Sequence, residues 1–146
     1  MPRAVNQKLK ILYLMKILLE RTDEDHPLTM QQLLAELETK GVAAERKSIY
    51  DDFETLRLYG LDVQVSRGKA IGYYVADRTF ELPELKLLVD AVQSSKFITY
   101  KKSTELIRKI ESLASGHQAR QLQRQVFVAN RIKTMNESIY YTVDAI

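Results

Sequence analysis

The stretch Thr29–Val75, TMQQLLAELETKGVAAERKSIYDDFETLRLYGLDVQVSRGKAIGYYV, decides the fold. Thr29 followed three residues later by Gln32 is a capping-box pattern that satisfies orphan amides at a helix start, so a helix is expected to begin near Thr29. Met30, Leu33, Leu34 and Leu37 supply its inward face, and Gly41, which tolerates positive φ, ends it. A further helix is predicted from about Glu45 to Tyr59. Ile49, Phe53 and Leu56 stand at i, i+4 and i+7 on one narrow apolar face, and Gly60 caps its end. Two helices joined by a short, Gly-containing turn, here roughly Lys40 to Ala44, form the helix-turn-helix pattern. The period then shortens. Val63 and Val65 alternate with Asp62, Gln64 and Ser66, which indicates a strand; Ser66-Arg67-Gly68-Lys69 reads as a turn and Ile71 to Val75 as the returning strand. A hairpin directly after the second helix of such a pair is a wing.

Upstream, Asn6 to Arg21 reads as a helix with a wide apolar stripe of Leu9, Ile11, Leu12, Met15, Leu18 and Leu19. Thr22 to Pro27, TDEDHP, is a polar break. Beyond Thr79 the chain becomes helical again. Pro83 suits a first helical turn, and Leu85, Leu88, Val89 and Val92 form a face running toward Ser95. Ser103 or Thr104 is expected to cap a further helix carrying Leu106, Ile110 and Leu113, broken by Ser115-Gly116. His117 to Arg124 is a polar helical stretch, Val126 to Val128 is too short to classify, and Asn136 to Ile146 is expected to be a final helix capped by Asn136. The fold class is therefore mainly α with a small β-hairpin wing. Residues 1–78 read as a winged helix-turn-helix and residues 79–146 as a helical linker that pairs two chains.

Bulk properties narrow the function. The 146 residues are 45% hydrophobic and 28% charged, close to globular averages, so a packed core is expected. The absence of Cys excludes disulfides, thiolate catalysis and Cys-based zinc sites, and it fits a cytoplasmic protein. The most apolar N-terminal run, Leu9 to Leu19, is interrupted by Lys10 and Lys16 and resembles neither a membrane span nor a signal peptide. A net charge of +3 suits a nucleic-acid binder without identifying one.

In a helix-turn-helix, the N-terminal half of the second helix of the pair reads bases in the major groove. With Ile49, Phe53 and Leu56 turned inward, the opposite face carries Arg46, Lys47, Tyr50, Asp51 and Glu54, with Ser48 at its edge. Arg46 and Lys47 are suited to phosphate or to guanine O6 and N7, Tyr50 to phosphate or a sugar face, and Arg57 to the backbone. Arg67 and Lys69 flank Gly68 at the wing tip and form a second basic point, while Arg3, Lys8 and Lys10 are further candidates for phosphate. Against this stands a plain solvated helix of mixed charge. Asp51, Asp52 and Glu54 repel phosphate unless they accept from cytosine N4 or pair locally, and Asp52 is expected to turn sideways toward the protein. Asp23-Glu24-Asp25 reads as a solvated acidic loop. His26 and His117 lie far apart in sequence and read as surface histidines. No phosphate-binding, dinucleotide or nucleophile-elbow motif occurs. No enzyme, cofactor or metal site is expected.

Arg46–Leu61, RKSIYDDFETLRLYGL, resembles the recognition helix of the DeoR-like winged helices that head WYL-domain transcriptional regulators. Gly72-Tyr73-Tyr74-Val75 resembles their second wing strand. Phe80–Thr99, FELPELKLLVDAVQSSKFIT, resembles their linker helix, Lys102–Ser115 the helix after it, and Asn130–Ile146 the approach to the WYL domain. The resemblance spans essentially the whole chain. It implies a sequence-specific regulator of transcription that binds double-stranded DNA as a homodimer. The effector ligand is expected only on a WYL domain, which is absent from these residues. One departure bears on the site: many relatives carry a basic residue where this chain has Asp51. The competing class is a winged helix used for oligomerisation or protein docking, without DNA.

Overall fold

A computed structural model of the chain describes residues 2–126, with side chains from residue 7 onward. The order of elements is α1 (Pro2–Arg21), β1 (Leu28–Thr29), α2 (Met30–Thr39), α3 (Arg46–Tyr59), β2 (Val63–Arg67), β3 (Ile71–Val75), α4 (Leu82–Ser94) and α5 (Tyr100–Glu111). A sixth helix, α6, begins at residue 116 and continues through residue 126. The architecture is mainly helical with a small antiparallel sheet of strand order β1-β3-β2, an arrangement compatible with a winged helix. The chain divides into two compact units, Met1–Thr79 with Ser115–His117, and Phe80–Ala114 with Gln118–Ile146. No helix among the described residues is long and apolar enough to cross a membrane.

In the first unit, one core collects Leu14, Ile17 and Leu18 from α1, Met30, Leu33 and Leu37 from α2, and Ile49, Phe53 and Leu56 from α3. Val42, Val63, Tyr73 and Val75 complete it. The Thr29–Gln32 capping box forms as expected. The Gln32 amide N–H donates to Thr29 Oγ1 at 3.2 Å and the Thr29 amide to Gln32 Oε1 at 2.8 Å. The ends of α2 and α3 share one device. Val42 N–H returns to the Leu37 carbonyl at 3.0 Å, and Leu61 N–H to the Leu56 carbonyl at 2.9 Å. Each closure requires the preceding residue to take positive φ, and Gly41 at 78° and Gly60 at 121° do so without a Cβ penalty.

The hairpin pairs Val63 with Val75, Val65 with Tyr73 and Arg67 with Ile71. Ser66 and Arg67 thus belong to the strand, and the turn is shorter than the sequence suggested. Alternation predicts Val63 and Val65 on one inner face, yet only Val63 is buried, and Val65 and Ile71 are exposed. The distal half of the hairpin projects beyond the core, so it has nothing to bury against. Leu28–Thr29 forms a third strand, pairing with Tyr73 and Gly72, where a polar break and a helix start were expected. Two residues are too few to show a period. What admits them is Gly72, where a Cβ would lie 2.7 Å from Pro27 Cβ.

The second unit has its own small core of Leu85, Val89, Ile107, Ile110, Ala114 and Leu122. Here the expected helix start moves. Thr99 caps α5, its side chain accepting from the Lys102 amide at 3.2 Å, whereas Ser103 is buried on the inner face and Thr104 bonds back to the Tyr100 carbonyl. The inner stripe is consequently Ser103, Ile107, Ile110 and Ala114, and Leu106 and Leu113 are partly exposed. On α4 Leu85 and Val89 are buried, while Leu88 remains partly exposed. Val126 closes the described part of α6; Phe127, Val128 and the expected helix from Asn136 to Ile146 lie outside the described residues.

Gly72→Ala is expected to lower stability by about 1–3 kcal/mol, because the added methyl must displace Pro27 from β1. Gly68→Ala, at an open position without positive φ, is expected to change little. Parallel urea unfolding of the two variants checks both.

Candidate nucleic-acid interface

The narrow apolar face of α3 settles its orientation. Ile49, Phe53 and Leu56 are buried, and Arg46, Lys47, Tyr50, Asp51 and Glu54 are exposed. Arg46 and Lys47 occupy the first turn of α3, where free amides and the positive end of the helix dipole already favour an anion. No acidic residue shares that turn. The acidic Asp51 and Glu54 come a turn later.

Tyr50 is held from below. Its hydroxyl accepts from Tyr73 Oη at 3.4 Å, and the Tyr73 ring packs at 4.7 Å from Phe53. Burial, then the Tyr50 contact, push the Tyr73 hydroxyl up to about 12, so it stays protonated at neutral pH. Tyr50 is exposed and follows the cations of the first turn along α3.

Two of the predicted DNA-binding side chains are engaged within the protein. Ser48 Oγ accepts from Lys10 Nζ at 2.8 Å and donates to the Glu45 carbonyl at 3.0 Å. Arg57 Nε donates to the Val63 carbonyl at 3.0 Å, and Arg57 Nη1 to Glu54 Oε1 at 2.5 Å. Arg57 thus ties the end of α3 to the start of β2. Asp52 turns toward the protein as expected, its Oδ2 lying 2.8 Å from Lys10 Nζ. This charge contact lacks hydrogen-bond alignment. The expectation that Lys10 meets phosphate is overturned: it is buried against α3, only 4% exposed. Helical periodicity places Lys10 on a flank but does not reveal that Ser48 and Asp52 wait opposite it. Lys8 is exposed, and the Arg3 side chain lies outside the described residues.

At the tip of the β2–β3 hairpin, Arg67, Gly68 and Lys69 are all exposed. The exposed cations of the first unit's helix-and-hairpin region therefore include Arg46 and Lys47 on α3 and Arg67 and Lys69 at the hairpin tip.

A second polar cluster surrounds the turn after α1. Sequence reading treated His26 and His117 as separate surface residues, but their rings stack at 3.7 Å with 2° between planes. Asp23 Oδ1 lies 2.8 Å from His26 Nδ1, and Ser115 Oγ donates to Asp23 Oδ2 at 2.5 Å. Fully buried Thr22 accepts from the Val75 amide through its hydroxyl, and its carbonyl accepts from Arg78 Nη2 at 2.5 Å. Contacts across such sequence separations leave no local periodic trace. Burial lowers the pKa of Arg78, partly opposed by the nearby Asp23. Among the described residues no three His, Asp or Glu side chains converge as a metal-ligand set.

Burial alone would raise the pKa of Asp23, but hydrogen bonds from Ser115, His26 and the Asp25 amide, with the charge of His26, outweigh it and hold the carboxyl below 3.8. The folded state therefore favours the carboxylate. This contribution to stability is complete above pH 3.8 and is lost as pH falls through the lowered value. Asp23→Asn is expected to melt below the parent at neutral pH, with the gap narrowing in strong acid; melting curves across the acid range measure it. Compared with known proteins, the chain matches no family model, no curated protein and no solved structure.

Proposed function

We propose that this chain is the DNA-binding part of a transcriptional regulator, a winged helix-turn-helix followed by a helical segment that pairs two chains. The observation carrying this reading is the exposed first half of α3, with Arg46, Lys47 and Tyr50 outward and the basic hairpin Arg67–Lys69 next in the chain. On this reading α3 enters the major groove. Arg46 and Lys47 address guanine O6 and N7 or the flanking phosphates, and Tyr50 donates its hydroxyl to phosphate. Asp51 and Glu54 accept from cytosine N4 or orient neighbouring cations. The wing lies along the backbone. Arg57 serves from behind, by holding the wing to α3. The resemblance of residues 46–61, 72–75 and 80–99 to WYL-domain regulators supports the same reading.

Pairing draws support from the second unit, where Leu87, Phe97 and Tyr100 are 70%, 100% and 71% exposed. Such exposed apolar side chains are available to an interface between copies. Two copies would set two α3 helices about 34 Å apart, one turn of duplex DNA, on a pseudo-palindromic site.

A second reading, a protein-docking module that does not touch DNA, is favoured by the outer end of α3. Leu58 and Tyr59 are 90% and 78% exposed there, which is apolar surface unsuited to phosphate. Salt separates the two, because counterion release makes DNA binding fall steeply with salt whereas an apolar protein interface changes little.

In fluorescence anisotropy, the chain is expected to bind duplex DNA from upstream of its own gene more tightly than random duplex. Its affinity should drop steeply between low and moderate salt. Arg46→Ala/Lys47→Ala is expected to weaken upstream binding by about tenfold or more. Absence of salt-sensitive binding by the folded parent would instead leave the docking module.

A further inference from the structure

Lys10 is an anomaly for a surface helix. Its side chain is 6% exposed and its ammonium lies 2.8 Å from both Ser48 Oγ and Asp52 Oδ2. A lysine is seldom buried without a partner, because removing an unpaired ammonium from water is costly. Here its partners lie one helical turn apart on the same face of α3. Ser48 passes the interaction on by donating to the Glu45 carbonyl at the start of α3. The contact therefore grips α3 through its first turns, the part bearing Arg46, Lys47 and Tyr50.

The need for such a grip follows from the apolar face. Burial of Ile49, Phe53 and Leu56 sets which side of α3 faces the core, but non-directional apolar contacts hold small rotations about the helix axis less tightly than hydrogen bonds do. Hydrogen bonds and an ion pair flank the stripe. On one side Lys10 reaches Ser48 and Asp52; on the other the Tyr73 hydroxyl meets Tyr50 at 3.4 Å. Together they narrow the angular setting that the apolar stripe establishes. Base reading tolerates only small angular errors, about 10–20°, in the side chains that perform it. Lys10 also offsets the charge of Asp52, which would otherwise add to the repulsion of phosphate by Asp51 and Glu54.

We propose that Lys10 is a positioning residue for sequence readout: by bridging Ser48 and Asp52 it fixes the rotational setting of α3 without touching DNA. The proposal rests on the DNA-binding reading above for its functional consequence, but the mechanical role is testable without DNA. It also separates two lysines that look equivalent in sequence, Lys8 exposed on α1 and Lys10 buried two residues later.

The test compares the parent chain with Lys10→Met, Asp52→Asn, the combination of both, and the swap Lys10→Asp/Asp52→Lys. Anisotropy is measured on upstream and random duplexes across a salt series, and amide hydrogen exchange is followed without DNA. Lys10→Met is expected to lower the preference for upstream over random DNA by about tenfold while leaving the slope of log affinity against log salt unchanged; loss of a phosphate contact would lower that slope by about one. The swap is expected to recover much of the preference. Without DNA, exchange should quicken selectively over residues 46–54 in both single variants, and the combined variant should show less than the sum of their effects.

A slope reduced by about one with preference intact would overturn the proposal in favour of a phosphate contact. Equal weakening on both DNAs, with exchange quickened uniformly, would overturn it in favour of general destabilisation. Should the folded parent bind neither duplex, the DNA-binding reading fails. The exchange pattern then decides the mechanical role, selective and non-additive effects upholding it and uniform or additive effects refuting it.

Discussion

Burial of the narrow apolar face of α3 is the constraint on which the first unit depends. Ile49, Phe53 and Leu56 share one core with residues of α1, α2 and the hairpin, and Phe53 meets Tyr73 of the central strand at 4.7 Å. Each such buried side chain contributes about 1.5–3 kcal/mol relative to exposure. The same burial dictates what remains outside. Outside that stripe, the polar side chains of α3 either find partners within the protein or face water, and Leu58 and Tyr59 stay exposed at its outer end.

The basic residues divide along that line. Lys10, Arg57 and Arg78 turn inward, to Ser48 and Asp52, to Val63 and Glu54, and to Thr22, respectively. Arg46, Lys47, Arg67 and Lys69 turn outward. The inward set acts on geometry: Lys10 joins α1 to α3, Arg57 joins α3 to β2, and Arg78 secures the turn after α1. The outward set is free to meet an anion. The exposed face of α3 carries mixed charge, with Arg46 and Lys47 in its first turn and Asp51 and Glu54 after them.

The turn after α1 extends this economy to uncharged and titratable groups. Thr22 links α1 to the central strand through its hydroxyl, and Asp23 gathers His26 and Ser115. The stacked His26 and His117 rings lie beside them. An acidic loop that looks merely solvated in sequence is therefore, at Asp23, a buried junction of the first unit.

Much of the architecture was legible because it depends on local physics. The Thr29 capping box, the glycines that close α2 and α3, the three apolar positions of α3 and the two hairpin strands all act within a few residues of one another. Each leaves a pattern of spacing or residue type. The inward turn of Asp52 was also expected from its place at the edge of the core stripe, but the partner that holds it there, Lys10, was not. What tertiary structure alone decided are contacts between segments distant in sequence. They include the two-residue strand admitted by Gly72 and Pro27, the pairing of Lys10 with α3, the diversion of Ser48 and Arg57 into internal bonds, and the meeting of His26 with His117. Helix and strand periodicity tells which side of an element is apolar, but not which polar group on another element will stand opposite it. That depends on how the elements pack, and packing is set by the summed burial of the whole core.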